Sequence, residues 1–119
     1  MQEEPPPELE WQGHVPVSAR FGDSYFSAAG GLAESRHVFL AGNALPGRFR
    51  PGFHIAELGF GTGLNALAAL QAWRLSAIEG RLRYTAFEAF PMTAADMARA
   101  LAAWPELAPL ADPLLRAWK

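Results

Sequence analysis

Cysteine is absent from the 119 residues. That excludes a disulfide framework, thiolate metal sites and a cysteine nucleophile. Charge is also scarce: 18% of residues are Asp, Glu, Lys or Arg, against about 25% in typical globular chains. With 50% apolar residues, the chain is not a charged disordered tail, which has the opposite balance. No apolar run approaches the roughly 20 residues needed to span a bilayer. The N-terminus, Met1-Gln2-Glu3-Glu4-Pro5-Pro6-Pro7, lacks the basic and apolar regions of a secretory signal. These absences fit a soluble cytoplasmic protein with no membrane partner. Lysine is nearly absent too, with nine of the ten basic residues being Arg, and no basic cluster stands out as a nucleic-acid footprint.

What is present is mostly helix-forming. Alanine (23) and leucine (15) far outnumber valine (3) and isoleucine (2). Ala and Leu favour helices and β-branched residues favour strands, so strands should be few. The length allows one domain at most.

Residues 1–10 are acidic and Pro-rich and read as a disordered leader. Residues 11–50 read as a small β-rich extension. Val15 and Val17 start one strand there, Tyr25 and Phe26 belong to another, Gly30-Gly31 is a turn, and Arg36 to Ala41 is a third strand around Val38, Phe39 and Leu40. Residues 51–119 read as strand, glycine loop, helix, strand, loop, helix. The first strand covers 53–58. The helix covers about 64–78, apolar on two sides and capped by Gly80. Arg81 to Glu88 alternates as a second strand. Thr93 is an N-cap with Asp96 three residues on, and Asp112-Pro113 reads as the start of a last helix. That order opens a doubly wound α/β sheet. A full sheet of six or seven strands needs roughly 200 residues, so a truncated domain with an unsatisfied strand edge is expected.

The segment that carries chemistry is Glu57-Leu58-Gly59-Phe60-Gly61-Thr62-Gly63-Leu64-Asn65. Glycines let the backbone turn from strand to helix and approach a ligand closely. The helix after them presents free N–H groups. The dinucleotide fingerprint expects a third glycine where Leu64 stands, which disfavours a diphosphate. No Gly-Lys-Ser/Thr follows, so a nucleoside triphosphate is disfavoured as well. An acid before the glycines suits S-adenosylmethionine, which carries a sulfonium and an ammonium group and no phosphate. Glu57 can supply negative charge near its amino-acid part. Glu88, at the end of the next strand, can accept from two ribose hydroxyls. His14, His37 and His54 lack metal-ligand spacing and read as structural, so no metal is expected.

The order of motifs makes the resemblance specific. Phe21-Gly22-Asp23-Ser24-Tyr25-Phe26-Ser27, Gly31-Leu32-Ala33-Glu34 and Val38-Phe39-Leu40-Ala41-Gly42-Asn43 precede the glycine loop. Phe87-Glu88-Ala89-Phe90-Pro91 and Trp104-Pro105-Glu106-Leu107 follow it. The series resembles the tRNA 5-methylaminomethyl-2-thiouridine methyltransferases, the methyltransferase half of the MnmC type, over nearly all of residues 11–118. The resemblance implies a class I, Rossmann-like fold and S-adenosylmethionine as cofactor. It implies methyl transfer to the aminomethyl group of 5-aminomethyl-2-thiouridine at the tRNA wobble position, with tRNA as partner. FAD enters only where an oxidase domain follows. The cofactor contacts it implies are Glu57, Gly59, Gly61, Thr62 and Gly63, with Glu88 on the ribose. Tyr25 and Asn43 are further pocket candidates, set against core packing and a turn role respectively. Phe60 shields the loop. Arg48 and Arg50 lie in a loop that is either solvated or set against tRNA phosphate.

Two positions depart from the family pattern: Ala89, where a basic residue is usual, and Ala66, where an aromatic is usual. No Asp-Gly-Phe-Ala-Pro-like segment follows Glu88, so no catalytic residue is named and the 119 residues alone are expected to be inactive. The alternative is a truncated or split nucleotide-binding half-domain, of the nicotinamide or flavin type or non-catalytic.

Overall fold

The computed structural model describes residues 5–26 and 30–118. The first four residues of the expected leader lie outside that description, as do Ser27 of the first motif, residues 28 and 29, and Lys119. The chain is a small α/β unit with two separate two-stranded sheets. Strands β1 (Leu9–Gln12) and β2 (Val15–Ser18) form an antiparallel hairpin, with Trp11 opposite Pro16. Gly13 turns it at φ 63°, which a side chain would strain. The hairpin starts within the stretch expected as leader. Its Val15, Pro16 and Val17 are buried, and Leu9 and Trp11 pack on the core, which places residues 9 and 10 in the hairpin. The strand expected around Tyr25 and Phe26 reduces to one bridge between Val17 and Ser24.

The largest correction falls on residues 31–43. They are helical, not extended. Helix α1 (Gly31–Glu34) runs into a π-helical turn (Ser35–Leu40) and a 3-10 turn (Ala41–Asn43). The buried residues there, Gly31, Leu32, Ser35 and Leu40, recur at helical rather than alternating spacing. The β-prone Val38 is exposed. Packing on a neighbouring helix overrides the local β preference of Val38-Phe39-Leu40. Arg36 donates to the Gln71 side chain of that neighbour at 2.6 Å.

That neighbour belongs to the central unit. Strand β3 (His54–Leu58), helix α2 (Leu64–Leu75) and strand β4 (Arg83–Phe87) form a strand–helix–strand crossover, and the two strands pair in parallel. Both strands and the start of α2 match the sequence reading. The helix ends earlier than expected: Ser76 caps it, Ala77 turns left-handed at φ 53°, and Gly80 lies beyond in the loop. Leu75, within the helix expected to be apolar on two sides, is exposed.

In the parallel register, Ile55 and Tyr84 share the face turned to the core, as do Glu57 and Ala86. The other face is open, with Leu58 88% and Phe87 63% exposed as direct cross-strand partners. Parallel sheets are normally covered on both faces. Among the described residues, nothing pairs with the outer edges of β3 and β4.

Helix α3 (Ala94–Leu101) begins as expected: the Thr93 hydroxyl accepts from the Asp96 N–H at 3.2 Å. A 3-10 turn (Pro105–Leu107) leads into helix α4 (Ala108–Ala117). The expected start at Asp112-Pro113 is therefore corrected, since Pro113 lies inside α4. Pro109 occupies the first turn instead, where a missing N–H costs nothing. Leu110 and Ala111, buried ahead of Pro113, carry the helix through it. The core joins Met97, Ala100 and Leu101 of α3, Leu107, Leu110 and Ala111, and Leu64, Leu67, Ala68, Ala69 and Trp73 of α2. No described helix is long and apolar enough to cross a membrane.

Candidate functional site

The glycine loop sits where the sequence predicts, between the end of β3 and the start of α2. Gly59, Gly61 and Gly63 have φ of 86°, 58° and 83°. An L side chain is strained at each, so the alternation of glycines has a conformational cause. Gly63 is the α2 N-cap, and a Cβ there would meet the Phe60 ring at 2.9 Å and Leu114 at 3.3 Å. A Cβ on Gly59 would meet nothing within 4 Å among the described residues, so that side of the backbone faces open space. The Gly59 N–H donates to the Phe87 carbonyl at 2.6 Å and fastens the loop to β4. Thr62 is buried, and Phe60 stacks on Trp118 at 5.1 Å between centroids.

Glu88 follows β4 and reaches back to the loop. One carboxylate oxygen accepts from the Gly61 N–H at 2.8 Å, the other from the Phe90 N–H at 3.2 Å. Tyr25 joins them: a Cβ on Gly61 would meet its ring at 3.4 Å. Partial burial, and then the Glu88 charge, push its phenol above the ordinary range. Asn43 ends the 3-10 turn, with its amide donating to the Phe39 carbonyl at 2.6 Å.

Glu57 behaves differently. Its two oxygens accept from the Tyr84 hydroxyl at 2.7 Å and the Asn65 amide at 2.9 Å. Asn65 in turn accepts from the Ser35 hydroxyl. Burial, then the hydrogen bond to Glu57 and its charge, hold the Tyr84 phenol far above its usual range. Ser35, Asn65 and Tyr84 were missed as site residues. Aligning the two strands in parallel register would have placed Tyr84 on the Glu57 face, since Glu57 pairs with Ala86 two residues on.

A cavity of about 400 Å³ lies between the loop and the helical turns of 31–43. Tyr25, Asn43, Gly59, Phe60, Gly61 and Thr62 line it, with Ser35 and Asn65. Glu57 does not line it. Among the described residues at its wall, Glu34 is the one ionisable acid or base other than Tyr25. A second hollow, about 610 Å³, adjoins the far side of Tyr25 and includes Glu88, Arg20, Phe21 and Phe90. The structure thus gathers six of the nine candidates on one cavity, leaves Gly63 off its wall as the α2 N-cap, joins Glu88 to it through Gly61, and sets Glu57 behind it. Arg48 is exposed and donates to the Asn43 carbonyl at 3.0 Å. Among the described residues, no group of three His, Asp or Glu side chains could hold a metal ion.

No family model matches the chain. Curated relatives do. The chain is 52% identical over 114 residues to the tRNA 5-methylaminomethyl-2-thiouridine biosynthesis bifunctional protein MnmC of Chromobacterium violaceum, covering 91% of the chain and 17% of that protein. The chain is homologous to part of MnmC. The MnmC of Aeromonas hydrophila is 47% identical over 119 residues, and that of Pseudomonas paraeruginosa 50% over 115. Coverage is 92% and 91% of the chain, and 18% of each relative. With about a tenth of the chain unmatched, the stretch from Glu57 to Glu88 falls inside the MnmC match. The chain spans less than a fifth of the length of these relatives.

Proposed function

We propose that the chain supplies the S-adenosylmethionine-binding part of an enzyme that methylates the aminomethyl group of 5-aminomethyl-2-thiouridine at the tRNA wobble position, on a Rossmann-like class I methyltransferase fold. The observation that carries the reading is the junction of the Gly59–Gly63 loop with Glu88, at the end of the adjacent parallel strand. Ligands of open parallel sheets bind beyond the carboxyl ends of the strands. The charge of the site fits the cofactor. Glu34 and Glu88 border it, Arg20 stands only in the adjoining hollow, and among the described residues no Lys or Arg lines the cavity beside the loop. A phosphate would meet like charge there, whereas a sulfonium and an ammonium meet opposite charge. The relatives' name supplies the tRNA nucleoside.

When bound, S-adenosylmethionine supplies an electrophilic methyl group. The chain's own residues would hold and orient it, and positioning of a neutral amine is what such a transfer most needs. Glu88 would take the ribose hydroxyls on the lone pairs that Gly61 and Phe90 leave free. Gly59, facing open space, would let the backbone approach. Tyr25, Asn43, Phe60 and Thr62 would wall the pocket. FAD is given no residue in this reading.

The test is calorimetric titration of the chain with S-adenosylhomocysteine, and with NAD in parallel. S-adenosylhomocysteine should bind, and Glu88→Ala should weaken it roughly tenfold or more, the worth of hydrogen bonds to a charged group. Binding of NAD instead, or of neither ligand, overturns the reading.

A further inference from the structure

We propose that Asn65 is the side chain that meets the amino-acid end of the cofactor, and that Glu57 is a positioning residue acting through it. The inference rests on the S-adenosylmethionine reading above. Asn65 lines the cavity beside the glycine loop and Glu57 does not. Both Glu57 oxygens are already engaged, by Tyr84 and by Asn65. Asn65 is the one of the pair that both faces the cavity and has capacity to spare. A side-chain amide offers two N–H donors and two acceptor lone pairs. Glu57 takes one N–H and Ser35 one lone pair, leaving one of each.

The amide orientation follows from chemistry. An ionised carboxylate only accepts, so the Asn65 nitrogen must face Glu57 and the oxygen must face Ser35. Ser35 is buried on the helical turns of 31–43, while Glu57 and Tyr84 are held on the paired strands β3 and β4. Asn65, the second residue of α2, is therefore clamped from two sides. A zwitterionic amino-acid end presents an ammonium donor and a carboxylate acceptor. The remaining lone pair and N–H of one fixed amide match that pair.

The test compares two probes. S-adenosylhomocysteine carries the amino-acid end; 5′-methylthioadenosine keeps the adenosine and thioether and lacks it. Asn65→Ala should weaken S-adenosylhomocysteine roughly ten- to hundredfold, the range for hydrogen bonds to charged groups, and leave methylthioadenosine unchanged. Retained methylthioadenosine binding also reports that the variant is folded. Glu57→Ala should show the same selective loss, and the double variant should lose no more than Asn65→Ala, because the two act as one unit. Equal weakening of both probes, or no weakening, overturns the assignment. A further loss from Glu57→Ala on the Asn65→Ala background means that Glu57 touches the ligand itself, and overturns it too. If the unaltered chain binds neither probe, the cofactor reading fails and this inference with it.

Discussion

The Glu88 carboxylate accepts a hydrogen bond from the backbone N–H of Gly61, 27 residues earlier, at 2.8 Å. The contact joins the end of β4 to the middle of the glycine loop. A residue expected to serve a ligand thus also holds the loop in shape. The second oxygen takes the Phe90 N–H, so the chain turns away after Glu88 around the same carboxylate.

Glu88→Ala should therefore lower stability as well as ligand affinity. Removing both acceptors orphans two partly buried N–H groups, at a cost of about 1–3 kcal/mol. Glu88→Gln keeps one acceptor and should cost less. Urea unfolding midpoints of the two variants check the order. Equal midpoints for Glu88→Ala and the unaltered chain would show that the loop holds itself.

Gly63→Ala and Gly59→Ala should separate two causes of glycine at one loop. Both positions have positive φ, costing about 1–2 kcal/mol for an L residue. Only at Gly63 would the new methyl collide, with a Phe60 ring that Trp118 pins by stacking. Gly63→Ala should be the more destabilising by about 1 kcal/mol or more, in the range of overpacking costs. Equal unfolding midpoints would sink the packing argument and leave backbone strain alone.

Alkaline titration should report the Tyr84–Glu57 contact. The chain has two tyrosines, Tyr25 and Tyr84, and both are pushed above the ordinary value of 10.0 in the folded state. The folded protein then holds its phenolic protons more tightly than the unfolded chain. Stability from this source is complete below the unfolded pKa, and falls as pH rises past it toward the folded values. The Tyr84 phenolate should appear only as the protein unfolds, and Tyr84→Phe should flatten the alkaline fall in stability. Ionisation of both tyrosines near their ordinary value, with the fold intact, would contradict the contact.

Much of the site was legible because its causes are local. Alternating glycines between a short apolar run and an Ala/Leu-rich stretch force a strand–turn–helix, and three positive φ values confirm why no other residue stands there. The Thr93 cap is readable for the same reason: its hydrogen bond spans three residues. The failures are those of local reading. Val38-Phe39-Leu40 has β propensity, but the surface it meets is α2, and helical spacing buries Leu32, Ser35 and Leu40 against the core. Pro113 looks like a helix start until Pro109 and the packing of Leu110 place the start earlier.

The sequence by itself determined the central strand–loop–helix–strand unit, the glycine conformations and the presence of acids at both strand ends. Backbone sterics and short-range hydrogen bonds act within a few residues, so their causes are written contiguously. Only the tertiary structure decided what those acids touch. Glu57 meets Tyr84 across 27 residues and Asn65 meets Ser35 across 30, and these contacts exist only once β4 lies beside β3 and the helical turns of 31–43 lie against α2. A carboxylate's partners are set by which surfaces fold together, and that turned one acid toward the loop and the other away from the cavity.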